Sequence, residues 1–198
     1  MGYTWTAKNS PFQHLSAWLS DFAYSPSLNV IVIIGSGGLG HSDLSFASSE
    51  DEGATWTQRT SHWSVNSSPS RVRWAPFINK FVVVGGGGWN EPEPRNVVET
   101  STNGTTWLGG TGLSDGSTNQ SWQGLAVGQN KIVAVGSAYY SAISPPNDYK
   151  HVMTSTDGVN WTAHIAPTGP IWLGVAYSPT LDLWIACRQG SPSDSAIL

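Results

Sequence analysis

Ser49-Glu50-Asp51-Glu52-Gly53-Ala54-Thr55-Trp56 is the stretch on which the fold turns, because the chain writes it again. Ser101-Thr102-Asn103-Gly104-Thr105-Thr106-Trp107 and Ser155-Thr156-Asp157-Gly158-Val159-Asn160-Trp161 follow, with tryptophan spacings of 51 and 54 residues. The same step of 51 taken back from Trp56 reaches Trp5, in Gly2-Tyr3-Thr4-Trp5-Thr6. Self-similarity at a fixed period marks a stack of structural repeats. The local chemistry is that of a tight hairpin. An Asp or Asn side-chain oxygen accepts backbone N–H groups across a turn, and Gly supplies the positive φ that closes it. Asp51, Asn103 and Asp157 are therefore expected to be turn staples. Trp56, Trp107 and Trp161 are expected to be buried equivalents between neighbouring sheets.

The rest of each period repeats as well. An apolar strand ending in Gly precedes each word: Val30-Ile31-Val32-Ile33-Ile34-Gly35, Phe81-Val82-Val83-Val84-Gly85 and Ile132-Val133-Ala134-Val135-Gly136. Leu183-Trp184-Ile185-Ala186-Cys187 reads as a fourth copy, and Cys187 within it as a buried structural thiol. Before each of these stands a short turn and another alternating strand. One period thus reads strand a, tight turn, strand b, variable loop, strand c, Asp-Gly-type hairpin, strand d. Four antiparallel strands in about 50 residues make one blade of a β-propeller.

The three words resemble the Asp-box (BNR-like) repeats of sialidase-type β-propellers; the first matches the eight-residue word and the other two are one residue shorter. Similar words occur in repeats of bacterial surface and phage proteins. The resemblance implies architecture and is nearly silent on activity. The expectation is a single all-β domain over 1–198, a small β-propeller of about four four-stranded blades. The repeats run at about 11–60, 61–112, 113–166, and 167–198 together with 1–10. The ring would close by pairing residues 2–6 with the blade made by 175–198. A fragment of a larger ring, or subunits that pair to complete one, is the rival reading.

Composition agrees with many short strands and restricts the partners. Only 11% of the 198 residues are charged, against about 25% in an average domain, while Gly (22) and Trp (11) are abundant. The net charge is −4, and the nine Lys and Arg are scattered without a basic stripe. Nucleic acid is therefore not an expected partner. Nothing approaches the roughly 18 apolar residues of a membrane span. No basic and apolar leader is visible at the start, and an extracellular or virion-associated setting is favoured.

The chemistry of sites is sparse. No cofactor is expected, and the five histidines show no metal-ligand spacing. Sialidase-like catalysis would need three clustered arginines and a Tyr–Glu pair; Arg71 and Arg73 share one strand face while Arg59, Arg95 and Arg188 stand apart. Glycoside hydrolysis needs two facing carboxylates, which the sequence does not place, so no catalytic residue is assigned. The b–c loops are the better candidates, since they differ in length and content. His41, Trp89, Asn90, Tyr139, Tyr140 and Asp148 lie there. Aromatics beside amides and carboxylates suit carbohydrate, stacking on sugar faces while polar groups bond the hydroxyls. The expected function is a non-enzymatic module that binds a glycan or cell-surface polymer through this rim, as a monomer or small homo-oligomer. The alternative is a structural or assembly protein whose rim contacts another protein, and a glycoside hydrolase is the third and less favoured reading.

Overall fold

A computed structural model describes residues 6–7, 18–36, 46–63, 67–87, 97–110, 112–113, 120–138, 150–165 and 172–188. Every regular element among them is a β-strand. Strands β1 (Trp18–Ser25), β2 (Val30–Ser36), β3 (Phe46–Ser49) and β4 (Thr57–Arg59) form one antiparallel sheet in that order. The second unit is β5 (Ser67–Ala75), β6 (Lys80–Gly87), β7 (Val98–Ser101) and β8 (Leu108–Gly110). The third is β9 (Gln120–Val127), β10 (Ile132–Ala138), β11 (Lys150–Ser155) and β12 (Thr162–Ile165), and β13 (Trp172–Ser178) pairs with β14 (Leu183–Arg188) beyond it. A single pairing of Gly86 with Ser121 joins the second and third units along one edge. The a-b-c-d order expected from the sequence is thus the observed one in three units. Pairing of residues 2–6 with the C-terminal strands rests on residues 2–5, which lie outside those described.

The hairpins between strands c and d are built as their sequence dictates. Ser49 Oγ donates to Asp51 Oδ1 at 2.7 Å and accepts the Gly53 N–H at 2.8 Å, while Asp51 accepts the Thr55 N–H and hydroxyl at 2.8 and 2.6 Å. Ser101, Asn103 and Gly104 repeat the pattern, as do Ser155, Asp157 and Gly158. Gly53, Gly104 and Gly158 all have positive φ, at 81°, 75° and 77°. The hydrogen bonds from Thr55 and Ser49 hold the Asp51 carboxyl at about 2. Burial opposes ionisation of Asp157, yet the bonds from Asn160, Val159 and Ser155 still bring it to about 2. Asp157→Ala is expected to cost roughly 1–2 kcal/mol in urea unfolding at neutral pH. The folded value lies below the ordinary 3.8. The carboxylate's contribution is therefore present above pH 3.8 and fades as pH falls through 2, so the mutant and native curves should converge in acid.

Strand a carries a one-residue bulge in every unit. The register slips across Leu19/Asp21, Pro69/Arg71 and Trp172/Gly174, and in β9 the extra residue is Gln123. Each bulge pushes strand-a backbone over the end of strand b, which explains the recurrent glycine there. A Cβ at Gly85 would lie 2.1 Å from Ser68 O, and one at Gly136 2.1 Å from Ser121 O. In β14 the residue at this register is Arg188, opposite Trp172, and not Cys187. The fourth repeat is therefore offset by one from the alignment that the sequence suggested. That offset turns Cys187 outward beside Ile185, so the thiol is exposed and not buried as expected.

The core lies between the sheets. The first and second units enclose Val30, Val32, Ile34, Phe46, Val72, Phe81, Val83 and Trp107. The next interface holds Val82, Val84, Trp122, Leu125, Met153 and Trp161, and the third Val133, Val135, Trp172 and Ala186. Trp107 and Trp161 are buried as expected. Trp56 differs: it is half-buried, because among the described residues no strand packs on its side of the first unit.

Candidate functional site

Each unit has two edges with different chemistry. One carries the stapled c–d hairpins and the short a–b turns, where Asn29, Asn79 and Asp182 adopt left-handed backbone. The other is where strand b ends and strand c begins, at Ser36 and Phe46, Gly87 and Val98, Ala138 and Lys150. The long connections of all three units therefore leave from this second edge. His41, Trp89, Asn90, Tyr139, Tyr140 and Asp148, the candidates drawn from the sequence, belong to those connections and lie outside the described residues.

Among the described residues this edge carries a feature that the sequence reading missed. Glu99, in β7, is fully buried against the first unit. Its Oε1 accepts the His62 N–H at 2.6 Å, and Oε2 lies 3.7 Å from His62 Nδ1. Oε2 has no hydrogen-bond partner among the described residues. Burial drives the carboxyl up to about 7, against the opposing pull of His62. Glu99 can therefore hold a proton close to neutral pH and give it up a little above. The half-exposed imidazole of His62 stands between it and solvent. The equivalent positions, two residues before each motif serine, are Ala47 and Met153, both fully buried. A column reading Ala, Glu, Met was visible in the repeat and would have marked Glu99 as anomalous.

A second buried polar group, His151, lies near the start of β11, within the field of Arg188 in β14. His151 Nδ1 lies 3.1 Å from Gly136 O. Burial lowers its pKa; the Gly136 contact resists this, and the charge of Arg188 adds to it. On the innermost strands, Asp21 takes the Val72 N–H at 3.1 Å and pairs with Arg73 at 2.5 Å. Arg71 and Arg73 do share one face of β5, opposite Val84 and Val82. Arg71 donates to the Ser70 carbonyl at 2.7 Å, so the two guanidinium groups serve local backbone and Asp21. The Asp51 and Asp157 carboxylates are engaged by their own hairpins.

No family model and no curated protein matches the sequence. Solved structures do match in fold. A GH74 enzyme of Niastella koreensis superposes with a TM-score of 0.58 at 17% identity, over 91% of this chain and 30% of that one. A nidogen/laminin complex gives 0.56 at 13% identity, covering 91% and 64%. YCF48 bound to a D1 peptide gives 0.55 at 14%, covering 94% and 53%. The chain thus spans between about a third and two-thirds of the length of these structures. The likeness identifies the fold as all-β and propeller-like.

Proposed function

We propose that this chain is a non-enzymatic binding module, a set of Asp-box propeller blades that recognises a glycan or cell-surface polymer through the edge bearing its long loops. One observation carries the reading. All three long b–c connections leave from the same edge, while the opposite edge is spent on stapled hairpins that differ little from unit to unit. Variation on one edge over a constant scaffold is how loops acquire binding function. Trp89, Asn90, Tyr139, Tyr140, His41 and Asp148 are the proposed contacts, the aromatics stacking on sugar rings and the polar groups bonding hydroxyls. A glycan array followed by titration calorimetry tests it. Trp89→Ala and Tyr139→Ala should each weaken binding by roughly tenfold or more while shifting stability by less than about 1 kcal/mol. Absence of any glycan signal on the array would reject the carbohydrate reading.

The second reading, a protein partner on the same edge, draws support from two of the neighbours, which were solved with protein or peptide partners. Under it, the same variants would reduce capture of a protein ligand and leave the glycan array blank.

A further inference from the structure

The interface between successive units is formed repeatedly inside the chain, always with the same two halves. The following unit supplies Phe81, Val83 and Trp107, and the preceding one Val30, Val32, Ile34 and Phe46. One step on, Ile132, Ala134 and Trp161 meet Val82 and Val84. The hairpin glycine of the following unit is seated on strand b and the a–b turn of the preceding one. A Cβ at Gly104 would be 2.8 Å from Val30, and one at Gly158 3.1 Å from Val82 and 3.3 Å from Ile78. The innermost strands pack in the same succession, β1 on β5, β5 on β9 and β9 on β13, with no comparable packing of β13 on β1.

Two half-interfaces are left over. The first unit presents Phe22, Ile31, Ile33 and Trp56, at the positions that Val72, Phe81, Val83 and Trp107 hold in the second. They line an open groove of about 440 Å³, and Phe22 is 69% exposed. Among the described residues no preceding strand lies beneath Gly53, and a Cβ there would meet Trp56 of its own hairpin at 3.5 Å. The β13–β14 hairpin presents the other half. Leu181, Leu183 and Ile185 stand at the positions of Ile78, Lys80 and Val82, two of which carry the Gly158 hairpin. They are 70%, 46% and 42% exposed.

We infer that a second copy of this chain covers both faces, so that two chains pair head to tail, the first unit of each seated on the β13–β14 hairpin of the other. A second copy brings both halves of an interface whose fit the chain already demonstrates internally. Two identical head-to-tail contacts related by a two-fold axis close a ring. They also remove from water an apolar surface of the kind soluble monomers rarely expose.

Light scattering and sedimentation velocity on the full chain at micromolar concentration test the inference. The expected mass is twice the 21.1 kDa of one chain. Phe22→Asp and Ile185→Asp each place a charge on a side chain that is exposed in the single chain, so both variants should keep the native circular dichroism spectrum and run as monomers. An equimolar mixture of the two should recover a dimer through the one contact that retains both intact faces. A monomeric wild type overturns the inference, whether the faces close on each other or await a different protein. So does a dimer that survives Ile185→Asp, which would mean that first units pair face to face, or an assembly larger than two.

Discussion

Trp107→Ala is expected to lower stability by roughly 3–5 kcal/mol and the melting temperature by on the order of 10 °C. The indole is 2% exposed and sits between two sheets. Its ring centroid lies 4.6 Å from Phe46 in an edge-on contact and 6.4 Å from Phe81. Removing it deletes one of the largest side chains shared by the first two units and leaves a cavity against strands held by their own ladders, which relax little. Trp56 occupies the equivalent place in its hairpin but lines an open groove, with no preceding strand against it among the described residues. Trp56→Ala should therefore cost clearly less, about 1–2 kcal/mol, when compared in the monomeric Ile185→Asp background. Chemical denaturation of the three proteins side by side decides it. Equal losses for the two tryptophans would mean that Trp56 is covered in the single chain.

What the repeat made legible and what it hid follow from the range of each force. The hairpin words are short-range: Ser, Asp and Gly bond within a few residues, so Asp51, Asn103 and Asp157 could be assigned from their neighbours alone. Strand alternation is also local, and it placed β2, β6 and β10 within a residue or two of their observed limits. Register is not local. The strand-a bulges decide which face each residue of strand b takes, and the bulge in β13 lies opposite Arg188, where the apolar run gave no hint of it. A one-residue slip reverses the faces, which is why Cys187 was misread. Glu99 escaped for a different reason. Its burial comes from the first unit packing over it, a contact that no window around residue 99 contains.

The pH dependence of stability should reveal Glu99. Its folded value is about 7, raised by burial above the ordinary 4.5. Below pH 4.5 both folded and unfolded chains hold the proton, and the group costs nothing on this account. Between 4.5 and 7 the unfolded chain releases it while the folded chain keeps it, so stability falls as pH rises. Above 7 the full penalty, on the order of 3 kcal/mol, is in place. His151 has the opposite sign in part of this window. Burial lowers it from 6.5, so its contribution grows as pH rises through that value. The raw wild-type curve therefore mixes two slopes. Glu99→Met separates them, because Met153 already fills the equivalent site, fully buried, in the third unit. Denaturant midpoints of wild type and Glu99→Met should lie close together at pH 4, with the variant pulling ahead by a few kcal/mol by pH 8. Glu99→Gln should follow the profile of the methionine variant, which keeps only the His151 slope, while retaining an acceptor for the His62 N–H. A difference between wild type and Glu99→Met that stays constant from pH 4 to 8 would mean that Glu99 ionises as readily in the folded protein as in the unfolded chain.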